Sequence, residues 1–402
     1  MTSDVRHGFD PRAPLPAPPD PWVSSTTPSP RDGPPYHMTD MIAAEPHLAR
    51  RLLGRLLGPG SPAAALADAV RETAAAGGSI VLTGCGTSDH AAQGVAEILA
   101  RALRASGDST GRAGVWSKQA LELALEVPPA GLVVGVSHEG GTRATIDALR
   151  ATRERGARTA LITAAANSPG AGVADVVVAT GEMDQSWCHT VGYVSPLLAA
   201  AAAGAMIAGQ DLDPEAVAAL LAAGSAEPAA AEALADALAG TSRLIVVATG
   251  ADRPAGRELV LKLEEASWLP SAYRDLETFL HGHLPATDAS TGLVLILTDP
   301  ANRDARVGRA RQLLAACRVV GVASGAILAE DAANELPADL TPAGRLVVPE
   351  SPALPGPVGA LFGSATPLQL LTERIARARG TNPDVIRRDD RRYRDASAAA
   401  EA

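Results

Sequence analysis

Residues 79–88 read SIVLTGCGTS, and residues 132–142 read LVVGVSHEGGT. In both stretches a short apolar run is followed by a glycine-rich turn and then by a helix-like segment. Runs that are apolar throughout, such as Leu132 to Val136, are typical of strands buried on both faces of a parallel sheet. The two turns are therefore predicted to lie at strand carboxyl ends, where open α/β sheets bind their ligands.

Both turns carry groups that bind anions. Each supplies backbone N–H groups at the start of a helix, and hydroxyls accompany them at Thr87 and Ser88, then at Ser137 and Thr142. One such turn is a weak signal, because glycine-rich turns often serve only to reverse the chain. Two of them with hydroxyls in the same half of the chain favour phosphate or a similar anion as the ligand.

Short apolar strands alternate with helices along most of the chain, which predicts an α/β fold with doubly wound parallel sheets. The pattern restarts at Leu244 with a second strand and glycine turn, which indicates an internal duplication with the ligand between the two halves. The predicted strands are Ser79–Thr83, Leu132–Val136, Thr159–Thr163, Val176–Ala179, Leu244–Gly250, Leu293–Thr298 and Val319–Ala323. The predicted helices are His37–Leu57, Pro62–Ala76, Asp89–Ala105, Thr142–Arg155, Arg257–Ala266 and those between Pro214 and Ala239.

The predicted organisation has four parts. Residues 1–37 form a proline-rich arm that is disordered or wrapped on a partner, residues 38–212 and 213–377 form two subdomains, and residues 378–402 form a C-terminal tail. Residues 191–209 are almost uncharged and long enough to raise the question of a membrane span. Because this stretch is mostly alanine and contains Pro196, a buried interface helix is the better interpretation.

Composition narrows the functional classes. The 402 residues are 47% hydrophobic, which is enough for a full core, and the net charge of -10 argues against a nucleic-acid surface. Three scattered cysteines without CxxC spacing suggest neither a disulfide framework nor a zinc site, and no cofactor motif is found. With no apolar leader at the N-terminus, a reducing cytoplasm is the expected location.

The motifs together resemble the double SIS (sugar isomerase) domain proteins, in particular the isomerase half of glucosamine-6-phosphate synthase without its glutaminase domain. The likeness runs from about Met41 to Arg387. It rests on GCGTS at 84–88, SHEGGT at 137–142, LVLKLEEAS at 259–267, LHGHLPA at 280–286 and GTNPD at 380–384. The resemblance implies two flavodoxin-like SIS subdomains in tandem.

The resemblance also implies roles for individual residues. Glu265 would move a proton between sugar C1 and C2, and Lys262 would help to position the site. His281 would open the sugar ring and in the family often comes from the neighbouring subunit, which implies a homodimer with a shared site. The phosphate end would lie on the two turns, at Gly86, Thr87, Ser88, Ser137, His138, Glu139, Gly140 and Thr142.

The chain departs from the family pattern at several of these positions. Glu139 replaces a serine that contacts phosphate, and a carboxylate there repels a phosphate dianion by a few kcal/mol at an effective dielectric of about 20. Either Glu139 points away, or the group bound there is not a phosphate. Arg391 aligns with the lysine that forms a Schiff base, and arginine cannot form an imine. His189 and Thr190 replace a Thr-Lys pair and are further candidates for the pocket.

The expected ligand is therefore a sugar or phosphosugar, with no metal, nucleic acid or membrane involved. An aldose-ketose isomerase is the first expectation. A deaminase or deglycase acting on an amino or glycosylamine sugar and a non-catalytic sugar sensor are the alternatives. Spacing alone would place Glu265 on a solvated helix face as readily as in a site. A metal held by His281, His283 and Glu277 is disfavoured, because a third histidine at ligand spacing is missing.

Overall fold

In the computed structural model, which describes residues 8–24, 31, 33–107, 114–129 and 131–401, two five-stranded parallel sheets form the centre of the fold. The strands are β1 (Ile80–Thr83), β2 (Val115–Ser117), β3 (Leu132–Val136), β4 (Arg158–Thr163), β5 (Val176–Ala179), β6 (Arg243–Ala248), β7 (Ser271–Asp275), β8 (Thr291–Leu297), β9 (Ala323–Ala329) and β10 (Gly344–Val348). The helices are α1 (His37–Leu56), α2 (Pro62–Ala75), α3 (Thr87–Ser106), α4 (Ala120–Leu125), α5 (Arg143–Glu154), α6 (Val191–Ala208), α7 (Pro214–Ala223), α8 (Pro228–Ala239), α9 (Arg253–Ser267), α10 (Leu276–Thr278), α11 (Arg303–Val320), α12 (Glu330–Glu335), α13 (Gly356–Ala378) and α14 (Arg391–Glu401).

The strand order of both sheets confirms the predicted duplication. The first sheet has the order β2-β1-β3-β4-β5, and the second has the order β10-β9-β8-β6-β7. In the first sheet the chain runs from β1 outward to β2 and then returns to the other side of β1 as β3. This reversal opens a crevice at the carboxyl ends of β1 and β3. The two glycine turns of the sequence lie in that crevice.

Most predicted strands and helices are confirmed to within a few residues, but the strand at Val319–Ala323 is wrong. Helix α11 continues through this stretch to Val320, and the Val319 side chain is 88% exposed. The strand β9 begins only at Ala323. The strands β2, β7 and β10 were not predicted from the sequence, and all three are edge strands. Edge strands are only partly covered, so they lack the continuous apolar runs that mark the inner strands.

Helix α6 is buried within the protein, as predicted. It is the one single helix of the described residues that is long and apolar enough to cross a membrane, and α7 with α8 passes the same test only as a bent pair. The structure buries 89% of α6. It packs against α3, where Leu197 lies so close to Gly94 that a Cβ there would come within 2.6 Å of the leucine.

Residues 8–24 of the proline-rich arm are packed against the first subdomain, so the prediction of disorder is wrong for them. The side chain of Leu15 is 5% exposed, and its backbone N–H donates to Glu182 Oε2 at 2.9 Å. The N–H of Met183 donates to the carbonyl of Pro16 at 2.9 Å. Low hydrophobicity predicted disorder, but here the arm is held mainly by its backbone hydrogen bonds. Residues 1–7, 25–30 and 32 of the predicted arm lie outside the described residues.

Candidate active site

The first turn places Thr87 at the start of α3, after Gly86 with a φ of +56° that favours glycine. The Thr87 side chain is buried, and its hydroxyl donates to Glu258 Oε1 at 3.0 Å. Without a ligand, this hydroxyl therefore serves a buried carboxylate, and its role in holding a phosphate stays a prediction. Ser88 follows on α3 and is partly exposed.

The second turn brings Ser137 and Thr142 together, with their hydroxyl oxygens 3.2 Å apart. The turn is fixed from its outer side. The His138 carbonyl accepts from Ala164 N–H at 2.8 Å, and the Gly140 carbonyl accepts from Gly170 N–H at 2.8 Å. Its conformation is thus set before any ligand binds.

Trp22 of the N-terminal arm provides a third outer contact, which sequence reasoning missed. Its indole N–H donates to the Glu139 carbonyl at 2.9 Å. The ring lies against Gly141, where a Cβ would come within 2.6 Å of it. The tryptophan ring fills the space that a side chain at position 141 would need. No sequence signal could have linked a residue of the arm to this turn.

Helix α9 carries a line of charged residues that contacts the first turn through Glu258 and Thr87. Glu258 and Lys262 are fully buried, while the Glu265 side chain is 24% exposed. The Lys262 Nζ lies 2.6 Å from Glu265 Oε2 and 3.4 Å from Glu258 Oε1. Glu258 also contacts His90 Nδ1 at 2.8 Å.

The charges in this line stabilise one another. Burial works against the Lys262 ammonium, but Glu258 and then Glu265 outweigh it and hold the pKa of Lys262 above its usual range. Burial likewise acts to raise the pKa of Glu258, but Lys262 and then His90 overcome it and lower that pKa. The buried lysine and Glu258 are therefore an ion pair, with the partly exposed Glu265 at its open end.

A second polar group surrounds Asp184, which sequence reasoning also missed. Its carboxylate accepts backbone N–H groups of Ser186 at 3.0 Å, Thr190 at 2.7 Å and Gly192 at 3.1 Å. The Nδ1 of His189 lies 3.7 Å from Asp184 Oδ2, an ion-pair distance rather than a hydrogen bond. Asp184 thus fixes the loop that leads into α6.

The two histidines beside Asp184 differ in charge. The His138 ring lies 5.2 Å from the His189 ring, and its Nε2 accepts the Asp184 N–H at 2.9 Å. Burial lowers the pKa of His138 to about 4, so it is neutral at pH 7. Burial also acts to lower the pKa of His189, but Asp184 outweighs it and raises that pKa. Of the pair, His189 is the one able to carry a proton.

Three predicted residues lie elsewhere. Thr190 is fully buried and its N–H serves Asp184, so it does not line the pocket as expected. Arg391 is 85% exposed on α14 and pairs with Asp395, so its predicted place in the pocket stays a prediction. His281 is 68% exposed, and its Nε2 lies 2.6 Å from Glu277 Oε1. Among the described residues, the His281 ring makes its hydrogen bond with Glu277 and not with Glu265.

The equivalent turn of the second subdomain, after β6, is filled by the chain itself. The N–H of Ala251 donates to Asp299 Oδ2 at 2.9 Å, and Arg306 pairs with the same carboxylate. The Arg306 guanidinium lies so close to Gly250 that a Cβ there would collide with it. This turn therefore binds a carboxylate of the protein where an external anion would otherwise lie.

Some of the site residues that were not predicted could have been found from their spacing in the sequence. Glu258 precedes Lys262 by four residues and Glu265 by seven, so all three share one face of α9. His90 follows the first turn by two residues, again within the first turn of a helix. Asp184 had no comparable signal, because its role depends on the path of an irregular loop.

The geometry defines a tandem α/β protein with a polar crevice at the switch point of its first sheet. Residues 74–208 match the model of the SIS domain family, so the chain carries a SIS domain around the first sheet, and the second sheet repeats that architecture. No curated protein sequence matches significantly.

Several solved structures share the fold along most of the chain. The C-terminal domain of glucosamine-fructose-6-phosphate aminotransferase from Francisella tularensis is 18% identical with a TM-score of 0.74, covering 89% of this chain and 99% of that one. Tagatose-6-phosphate ketose/aldose isomerase from Escherichia coli is 18% identical with a TM-score of 0.66, covering 90% and 98%. Glucosamine-6-phosphate deaminase from Thermotoga maritima is 17% identical with a TM-score of 0.62, covering 87% and 96%. At this identity the likeness establishes the fold.

Proposed function

We propose that this protein is a sugar isomerase that moves a proton between C1 and C2 of an open-chain sugar, with Glu265 as the base. The observation that carries the proposal is the arrangement of α9. A partly exposed carboxylate lies 2.6 Å from a fully buried ammonium group beside the crevice. The names of the similar structures, which include an isomerase and a deaminase of phosphosugars, agree with this class of reaction.

The proton transfer uses the groups of α9 directly. Glu265 takes the proton from the carbon next to the carbonyl, which gives an enediol, and returns it to the neighbouring carbon. Lys262 holds the Glu265 carboxylate in place. Glu258 and its partner His90 fix Lys262 from the buried side. One carboxylate can serve both carbons because they are directly bonded.

The available amines disfavour a reaction through a Schiff base. The sequence contains two lysines, Lys118 and Lys262. Lys118 lies near the surface 3.5 Å from Glu126, and Lys262 is held as an ammonium ion by two carboxylates. An imine needs a neutral amine. Proton transfer without a covalent intermediate therefore suits this site better than amination.

The composition of the turns favours a sugar whose far end is uncharged. Thr87 donates its hydroxyl to Glu258, and Glu139 brings a carboxylate into the second turn. The serine and threonine hydroxyls of the second turn bind a hydroxyl group as readily as an anion. A thermal-shift screen of sugars with and without a 6-phosphate tests this point, since ligands that bind the native state raise its melting temperature. Stabilisation by the phosphorylated members alone would contradict it.

The outward position of His281 supports a homodimer in which each site receives this residue from the partner. Two inactive variants, Glu265→Gln and His281→Gln, test the arrangement. Mixed after unfolding and refolding together, they should regain part of the activity, because the mixed dimer contains one intact site. No recovery, with dimers present by light scattering, would mean that the site is not shared.

The main test follows proton exchange at C2 in deuterated water by NMR over a panel of sugars. Glu265→Gln should slow exchange by about 100-fold or more, since general bases contribute on this scale. Glu264→Gln is the matched control, because Glu264 is the exposed neighbour and should leave the rate unchanged. Full turnover by Glu265→Gln would refute the proposal. Ammonia release would indicate the deaminase or deglycase reaction, and binding without exchange would indicate a sensor.

A further inference from the structure

An isomerase that moves the carbon proton must also move a proton between the two sugar oxygens. As the enediol forms, the carbonyl oxygen gains a proton, and the hydroxyl oxygen on the next carbon later loses one. A carboxylate occupied with the carbon proton does not serve both oxygens at the same time. The proposed reaction therefore needs a second acid–base group at the crevice.

We propose that His189 is this second catalytic residue, and that Asp184 is its positioning residue. The assignment rests on the proposed function, since it names the group that completes the same reaction. His189 lies in the loop before α6, directly after Cys188, whose thiol contacts the Lys262 carbonyl at 3.9 Å. It is thus close to α9, and its charge interacts with Lys262 and Glu265.

The two edges of the His189 ring have different surroundings. Nδ1 is enclosed, has no hydrogen-bond partner among the described residues, and lies 3.7 Å from Asp184 Oδ2. The side chain is 26% exposed. Nε2 makes no hydrogen bond among the described residues either, but unlike Nδ1 it is not enclosed. This nitrogen is the one available to a ligand in the crevice.

Asp184 fixes this orientation and keeps the ring basic. Its carboxylate is buried and is held by the backbone N–H groups of Ser186 and Thr190 in its own loop and of Gly192 at the start of α6. Burial acts to raise the pKa of Asp184, but the electrostatic interaction with His189 outweighs it and lowers the pKa to about 2. A permanent negative charge therefore faces Nδ1. His138, the other neighbour of the ring, is neutral at pH 7.

Glu265 and His189 together account for every proton transfer of the reaction. As Glu265 removes the proton from C2, the His189 imidazolium gives its Nε2 proton to the carbonyl oxygen at C1. Neutral His189 then takes the proton from the hydroxyl oxygen at C2 as Glu265 returns its proton to C1. The carbonyl has moved from C1 to C2, and both protein groups are back in their starting states.

Two substitutions separate proton transfer from hydrogen bonding. In His189→Gln the amide nitrogen takes the place of Nε2 and still donates a hydrogen bond, but it cannot give up a proton. In His189→Phe the ring shape remains and the donor is lost. Both variants should lower kcat for C2 exchange by about 100-fold, with KM changed by no more than a few fold.

A spectroscopic readout tests contact with the oxygen. The carbonyl stretching band of a bound ketose is measured by infrared difference spectroscopy in the inactive Glu265→Gln background. The band should lie at lower frequency than in free ketose, should stay low with His189→Gln, and should return toward the free value with His189→Phe. A structural role alone would not produce this order.

The outcomes are distinguishable. If the wild-type protein exchanges the C2 proton and both His189 variants retain at least a third of its kcat, the assignment of His189 is overturned. If the wild-type protein exchanges no sugar in the panel, the proposed function fails first and the assignment of His189 fails with it. Equal carbonyl bands in both variants would also overturn it, because the oxygen would then lie beyond reach of the residue.

Discussion

Replacing Lys262 with methionine tests the charge arrangement on which the proposed mechanism depends. Methionine fills a similar volume but removes the ammonium that lies 3.4 Å from Glu258 and 2.6 Å from Glu265. Glu258 is fully buried and would keep only Thr87 and His90 as partners. Breaking a buried ion pair from one side costs about 3–5 kcal/mol, because an uncompensated charge remains inside. The free energy of unfolding should fall by about that amount at pH 7.

The assay is urea denaturation followed by tryptophan fluorescence. Lys118→Met is the matched control, since it removes the other lysine of the chain, and a pair near the surface contributes only about 0–1 kcal/mol. The double variant Glu258→Gln with Lys262→Met should recover part of the loss, because no carboxylate is then left buried beside the missing ammonium. A loss below about 1 kcal/mol for Lys262→Met, equal to the control, would refute the buried ion pair as a stabilising unit.

Three further predictions concern other parts of the molecule. Trp22→Ala should lower the free energy of unfolding by about 1–2 kcal/mol through the lost indole hydrogen bond and ring packing; urea denaturation beside Trp116→Ala measures it, and equal midpoints for wild type and Trp22→Ala would contradict it. Burial raises the pKa of Glu45 to about 8, so the wild-type protein should lose stability relative to Glu45→Gln between about pH 5 and 8, by about 1.4 kcal/mol per pH unit. Stability falls with rising pH because, in that range, the folded state binds one proton more than the unfolded state. If the free energies of unfolding of the two proteins changed with pH in parallel, the prediction would be contradicted. Glu139→Ser should increase affinity for 6-phosphosugars about tenfold if Glu139 faces the anion, as calorimetry would measure, and unchanged affinity would place the carboxylate elsewhere.

The inner part of the fold was accessible from the sequence because burial on both faces leaves a direct mark. Strands such as β3 and β8 are buried along their whole length and were predicted from their apolar runs alone. The edge strand β7 is partly exposed at all its residues and carries a tyrosine, an arginine and an aspartate. Its place in the sheet depends on pairing with β6, and that is a tertiary interaction rather than a local preference.

The candidate site was accessible only in part. The helix with Lys262 and Glu265 could be located through a family resemblance, since its spacing alone did not separate a site from a solvated face. Arg391 was proposed for the pocket by counting positions along the C-terminal tail, and counting does not indicate the path of that tail. In this chain the tail stacks Arg388 over the Trp187 ring at 4.1 Å, a contact that no sequence pattern indicates.

The turn after β6, which is filled by Asp299 and Arg306, determines how many sugar molecules each chain is expected to bind. Because Asp299 and Arg306 already occupy the turn after β6, we expect each chain to bind one sugar, at the turns of the first sheet, despite its repeated architecture. A calorimetric titration should therefore reach its end point at one sugar per chain. The duplicated architecture thus supplies one open turn and one closed turn, while helix α9 of the second half still contributes Lys262 and Glu265 to the candidate site.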